Sequence, residues 1–434
     1  MYRFDPSTNT LTNIQPTDGN IDTTFKSDGP ETVPSSKEKG GFKVLIPDFF
    51  TSIMAIEPIV NKHYQEVKLM LEDKYARIFQ ANQKWIEKNS KVDLVYLSAM
   101  WTPNCNAAEL AIVADWNQWV GYMPFLLKLS EKYGFLFDDQ FDEGHLQIDP
   151  AAAQDEIDLT LAIMSDCQPP VQVKDNRIRH LFQTIWDRVK ECHSDPLLVS
   201  WFDKAFLFSW STSRAFLTIY SEYQKFYKDC HRRYFEGLLK QVTIIRDGGA
   251  FPDVQSYLDM RRMTIGVYPA IAVTGAAQNV KLPSRVLKHP SIHECMIATA
   301  DLVHTVNDVT SLRKDLVQET GVKQNVVLRL MEQGFTTQQA MDQIQELLKE
   351  VYRRWYVALA DLPVWGEEID RQVLKFLDAC RDVALGNLYW SFMTARYLGT
   401  EGDTVHRTRY LTLPSLVDGK LSNSTDPRFA VCYA

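Results

Sequence analysis

The chain has 434 residues, 45% of them hydrophobic and 12% aromatic, with 24% charged and a formal net charge of −8. That is enough apolar material for a buried core and enough length for one large domain or two to three ordinary ones. The acidic balance excludes a general binder of nucleic acid or membrane surfaces, which needs basic patches, so an anionic ligand would have to be held by local cations or by metal.

In chain order, residues 1–41 are rich in Thr, Ser, Asp, Gly and Pro and poor in large apolar residues, which predicts a disordered leader. Its start, MYRFDPSTNT, has no apolar signal-peptide core. From Phe42 onward apolar residues recur at i, i+3, i+4 and i+7, as in HLFQTIWDRVKECH and QQAMDQIQELLKEVYRRWYVAL. That period predicts helices, and short β-branched alternations are almost absent. The expected fold is all-α, a single domain over 42–410, followed by a loosely held tail over 411–434. The most apolar window, AIVADWNQWVGYMPFLLKL, is interrupted by Asp115, Asn117, Gln118 and Lys128, so no membrane span is predicted. The 7 cysteines are scattered with no CxxC or Cys/His metal spacing, which fits reduced thiols in a cytoplasmic chain.

Four stretches carry candidate chemistry. In FLFDDQFDEG, Asp138 and Asp142 are four apart, so on a helix their carboxylates share a face and suit a hard cation such as Mg²⁺. A solvated acidic helix end explains the same pattern. In NDVTSLRKD, Asn307, Ser311 and Asp315 follow at i, i+4 and i+8, a stripe of amide, hydroxyl and carboxylate oxygens, with Lys314 beside it as a phosphate contact. An ordinary polar helix face is the alternative. YLDMRRMTIGVYP places Arg261 and Arg262 before Gly266 and Pro269, which should break a helix, and an arginine fork binds phosphate oxygens in pairs. GNLYWSFMTARY ends in Arg396 and Tyr397, two donors that can meet on one anionic group.

The ordered set DDQFDE, NDxxSxxKD and W-x5-RY, with IPDFF, ADWNQWV, RRMTIG and GNLYWSF, resembles the class I terpene synthases of microbial type, and most of all the fungal sesquiterpene cyclases. The resemblance covers most of 42–400. It implies one helical bundle around a deep apolar pocket, with two metal motifs facing each other across its mouth. It also implies three Mg²⁺ ions, for which Mn²⁺ can substitute, and a prenyl diphosphate substrate, with farnesyl diphosphate expected. Asp138, assisted by Asp142, would belong to the acidic metal motif, and Asn307, Ser311 and Asp315 to the opposite one. Arg262, four residues before Gly266, would sense the diphosphate, with Arg261 as the fallback, and Gly266 would couple sensing to ionisation. Lys314, Arg396 and Tyr397 would hydrogen-bond the diphosphate. Phe135, Trp116 and Trp390 are candidate pocket walls, although core packing also explains each. The product would be a sesquiterpene hydrocarbon or alcohol, and the protein a monomer or homodimer.

The chain departs from the family pattern in three places. Asp315 stands where Glu is usual, one methylene shorter. A second Arg-Tyr pair, Arg409 and Tyr410, lies in HRTRY, outside the family context that surrounds Arg396 and Tyr397. Third, GYMPFLLKLSEKYG (121–134) separates ADWNQWV from FLFDDQFDEG, which the family runs together. As continuous helix it would carry the carboxylates about 21 Å along the axis, whereas Pro124, Gly121 and Gly134 argue for a kink or loop-out. Two other readings compete with cyclisation: a chain-elongating prenyltransferase, which usually carries two aspartate-rich motifs, and a catalytically silent all-α protein of the same fold. If 121–134 is an insertion, a chain lacking it should give more soluble protein and higher specific activity. Equal or lower activity would reject that reading.

Overall fold

In the computed structural model the described residues are 41–121, 137–142, 144–192, 213–249, 251–316 and 325–414, together with short strands near the two ends; side chains are described from residue 222 in the helix that starts at Ser213. Met1–Glu38 and Lys39–Ala434 form separate units. Within the first, Tyr2–Asp5 (β1) pairs antiparallel with Thr10–Asn13 (β2). The expected disordered leader therefore contains one strand pair, and residues 6–9 and 14–40 lie outside the described residues.

The second unit is helical, as the apolar period predicts. Its helices are α1 (Tyr64–Phe79), α2 (Gln83–Val92), α3 (Leu94–Trp101), α4 (Ala107–Val120), α5 (Phe137–Asp142), α6 (Pro150–Met164), α7 (Arg177–Cys192) and α8 (Ser213–Arg246). They continue with α9 (Val254–Thr264), α10 (Val267–Ala277), α11 (Ser284–Leu287), α12 (Pro290–Asp315), α13 (Val326–Glu332), α14 (Thr337–Ala360), α15 (Glu367–Met393) and α16 (Gly402–Thr408). Local sequence starts several of them. Asn106 and Glu109 cap α4 reciprocally, as do Thr336 and Gln339 at α14, and Asp253 accepts from the Ser256 amide at the start of α9.

The centre is built from α10 and α12. Every residue of α10 is buried, and a helix that is apolar all round must lie inside. Helix α12 packs against α14 and α15, which closes the bundle around a central cavity. The ends of the domain meet as well. Gly41–Leu45 (β3) pairs antiparallel with Tyr410–Pro414 (β4), with Gly41 opposite Pro414, and Leu411 and Leu413 are buried. Gly41 and Leu411–Pro414 thus belong to the folded body, although composition alone placed them in the leader and the tail. Leu416–Val417 (β5) and Lys420–Leu421 (β6) form a further antiparallel pair.

Residues 122–136, and with them most of the suspected insertion and the wall candidate Phe135, lie outside the described residues. Their flanks are informative. Trp119 near the end of α4 stacks on Phe137 at the start of α5 with ring centroids 4.6 Å apart. A continuous helix would part those residues by about 27 Å, so α4 and α5 are not one helix. Among the described residues no helix is long and apolar enough to cross a membrane.

Candidate active site

The cavity holds about 260 Å³ and is walled by α3, α4, α8, α9, α10, α12 and α15. One side of its mouth is α5. Asp138 and Asp142 both line the cavity, as their spacing of four predicts. The Tyr234 hydroxyl, from α8, donates to Asp138, and Gln241 Nε2 donates to Asp142 Oδ1 at 2.6 Å. Asp139 is buried and does not line the cavity. Burial, and then the negative charge of Asp142, push the Asp138 carboxyl well above the usual carboxylate range, while the Tyr234 bond works against the shift.

Across the cavity, α12 presents Asn307, Ser311, Lys314 and Asp315. Ser311 Oγ donates to Asp315 Oδ2 at 2.6 Å, and Asn307 Nδ2 donates to the Tyr397 hydroxyl at 2.7 Å. Burial raises the Asp315 carboxyl above its ordinary range, opposed by the Ser311 bond and the Lys314 charge. Arg396 and Tyr397 also line the cavity, with the guanidinium carbon 5.0 Å from the tyrosine ring centroid. Arg409 and Tyr410 stand elsewhere: Arg409 donates to the Ile46 carbonyl, and Tyr410 opens β4.

The adjacent arginines divide. Neighbours on a helix point about 100° apart, and of these two only one lines the cavity. That one is Arg261, the fallback for the diphosphate-facing role; Arg262, the first choice from sequence, points elsewhere. Arg261 donates to Asn307 Oδ1 and to Asp308 Oδ1, each at 3.1 Å. Arg262 does not line the cavity. It holds Asp301 Oδ1 at 2.6 Å and Oδ2 at 3.0 Å, in a cluster completed by Arg354 and His304. Gly266 follows in the left-handed region (φ +73°), breaking α9 from α10 at the cavity wall. Its nearest neighbours leave room for a Cβ, so the backbone and not crowding calls for glycine there.

The interior is aromatic. Trp116 and Trp390 line it, as does Trp101. Trp116 Nε1 donates to His231 Nε2 at 3.0 Å, and Nδ1 of the same ring lies 2.9 Å from the Tyr227 carbonyl. A ring that accepts at Nε2 carries its proton on Nδ1, so His231 is neutral; burial pushes its pKa down to about 3. Trp390 is fixed by its bond to the Val92 carbonyl at 2.7 Å. Tyr234, Gln241 and His231 were not expected from sequence, because nothing local marks them.

The donor set fits a hard divalent cation. Two crowded carboxylates face an amide, a hydroxyl and a third carboxylate, all oxygen ligands. Among the described residues no three His, Cys, Asp or Glu side chains gather where they could hold a metal alone, so protein oxygens would be completed by water or by phosphate oxygens. The raised Asp138 carboxyl has a consequence with a definite sign. Ionised Asp138 costs stability at neutral pH, and that cost vanishes once the group is protonated in both folded and unfolded states. In EDTA at pH 7, Asp138→Asn should therefore raise the melting temperature by a few degrees, and the gain should shrink as the pH falls towards the unfolded carboxyl's value near 4 and be gone about one unit below it. A lower melting temperature at pH 7 would contradict this.

Comparisons with known proteins agree with this geometry. The family described as "Terpene synthase family 2, C-terminal metal binding" matches residues 132–354. The chain is 40% identical over 376 residues to "(+)-eremophilene synthase" of Gibberella fujikuroi, covering 86% of this chain and 94% of that one. It is 35% identical over 378 residues to "Inactive (1R,4R,5S)-(-)-guaia-6,10(14)-diene synthase" of the same organism, covering 86% and 85%. The crystal structure of germacradien-4-ol synthase from Streptomyces citricolor shares the fold, with a TM-score of 0.58 at 16% identity, over 79% of this chain and 98% of that one. The chain belongs to the class I terpene synthases, in the company of the fungal sesquiterpene cyclases.

Proposed function

We propose that the protein ionises a prenyl diphosphate, farnesyl diphosphate foremost, and cyclises the resulting cation to a sesquiterpene. The observation that carries this is one cavity with carboxylates on one side of its mouth, an amide–hydroxyl–carboxylate stripe on the other, and indole rings beneath. Asp138 and Asp142 on α5, and Asn307, Ser311 and Asp315 on α12, would hold the divalent ions, with Mg²⁺ in three sites as the expected complement. Bound there, the metal would neutralise charge growing on the diphosphate as the allylic C–O bond breaks.

The remaining work falls to the chain itself. Lys314, Arg396 and the Tyr397 hydroxyl donate to diphosphate oxygens from fixed positions, which costs no reorganisation when the bond breaks. Arg261 now donates to Asn307 Oδ1. The guanidinium thus stands beside the metal stripe, where it would face a diphosphate held there. Trp116, Trp101 and Trp390 exclude water and present ring faces, each worth roughly 0.5–2 kcal/mol to a cation. His231 fixes the Trp116 indole and, being neutral, adds no opposing positive charge to the cavity.

A silent protein of the same fold is the second reading, favoured by the similarity to a relative named as inactive. An elongating prenyltransferase is disfavoured by an Asn/Ser/Asp second motif where that family carries a second aspartate-rich one. The purified protein incubated with Mg²⁺ and ten-, fifteen- or twenty-carbon prenyl diphosphates, with extracts analysed by gas chromatography–mass spectrometry, separates the three. The expected result is a cyclic product from the fifteen-carbon substrate, abolished by EDTA and lowered at least about 100-fold by Asp138→Ala. No product from any substrate supports the silent protein, and a longer prenyl diphosphate, formed when isopentenyl diphosphate is added and read as its alcohol after phosphatase treatment, supports elongation. The two arginines should part in the same assay. Arg261→Ala should lower kcat/KM by about 100- to 1,000-fold, while Arg262→Ala should lower the melting temperature and leave turnover per folded molecule within about threefold. The opposite pattern would return the diphosphate role to Arg262.

A further inference from the structure

Asn325 stands immediately before α13 and is fully buried. All of its side-chain hydrogen-bonding groups are engaged in directions that matter to α12. Its Oδ1 accepts from the Val327 amide at 2.9 Å and so caps α13. Its Nδ2 donates both to the Asp308 carbonyl at 2.6 Å and to Asp315 Oδ2 at 2.8 Å. Ser311 Oγ donates to that same Oδ2 at 2.6 Å. Both donors therefore settle on one oxygen of Asp315, and Oδ1 carries no hydrogen bond among the described residues. The Ser311 hydroxyl has also committed its proton, which leaves its oxygen with lone pairs only. Both residues line the cavity.

We propose that Asn325 is a positioning residue that pins Oδ2 of Asp315 and thereby aims Oδ1, together with the Ser311 oxygen, at a divalent cation. The assignment rests on the reading of Asp315 as a metal ligand. An Asp arm has only two side-chain torsions and one methylene less than Glu, so it cannot search for the ion and must be oriented beforehand. An amide at 325 suits this task because it is neutral and donates; a carboxylate there would repel Asp315, and an aliphatic side chain would leave Oδ2 and the Asp308 carbonyl short of a donor. The role is that of an outer hydrogen-bond partner, whose loss typically weakens metal affinity by about 10- to 100-fold.

The test is Mn²⁺ titration followed by electron paramagnetic resonance, in the presence of inorganic diphosphate and without prenyl substrate, alongside thermal melts. Asn325→Ala removes both the cap and the aim. Asn325→Ser keeps an N-cap oxygen for the Val327 amide and loses the two-donor amide. Both variants should weaken Mn²⁺ binding at least tenfold, although Asn325→Ser, which keeps the cap, should melt above Asn325→Ala. In an Asp315→Ala background Asn325→Ser should cost nothing further, because the carboxylate it orients is gone. Wild-type affinity in Asn325→Ser, or an equal loss in the Asp315→Ala background, overturns the positioning role. If the unaltered protein takes up no Mn²⁺ with diphosphate, the metal reading of Asp315 fails, and this assignment falls with it.

Discussion

The structure depends on a repulsion. Asp138 and Asp142 share one face of α5 at the mouth of a partly enclosed cavity, and charges of like sign this close cannot both ionise cheaply away from bulk water. Tyr234 and Gln241 hold the two carboxylates in place but bring no positive charge. A group arranged in this way gains most when a multivalent cation arrives. Folding tolerates the cost because the surrounding helices fix α5 through aromatic packing: Phe137 stacks on Trp119, and its ring centroid is 5.0 Å from that of Phe235.

The helices that hold the carboxylates also separate two kinds of chemistry. Charge is confined to the mouth, where α5, the end of α9 and the last turns of α12 converge. The remaining walls combine indole and aliphatic carbon with the uncharged Asn117, Thr264 and Asn387, and Trp116 is fixed by a neutral histidine. The break at Gly266 lies between the two zones. A left-handed residue there lets α9 stop and α10 start in a new direction, and an ordinary L-residue would be strained by roughly 1–2 kcal/mol. The split between Arg261 and Arg262 follows from the same geometry: one guanidinium serves the mouth and its neighbour anchors α9 to α12 through Asp301.

Much of this could be read from the sequence because its signals are local. The spacing of Asp138 and Asp142, and that of Asn307, Ser311 and Asp315, encodes a shared helix face within two or three turns, and the apolar period encodes the bundle. What escaped depends on rotation or distance. The RR dipeptide does not reveal which arginine faces inward, since a turn of 100° decides it. Tyr234 reaches Asp138, and His231 reaches Trp116, across more than ninety residues, with no local pattern to announce either. The β3–β4 pair joins five-residue strands near opposite ends of the domain, each too short to stand out by composition. No local pattern marks Asn325, and only its bond to Asp315 Oδ2 shows that it touches a ligand candidate.

The most direct test of the central claim is isothermal titration of the purified protein with inorganic diphosphate, in the presence and absence of Mg²⁺. If the crowded carboxylates and the α12 stripe jointly hold a metal–diphosphate complex, diphosphate should bind tightly only with Mg²⁺, and Asp138→Ala and Asn307→Ala should each abolish that dependence. Equal binding with and without Mg²⁺ would mean that the arginines and Lys314 suffice, and would contradict the account.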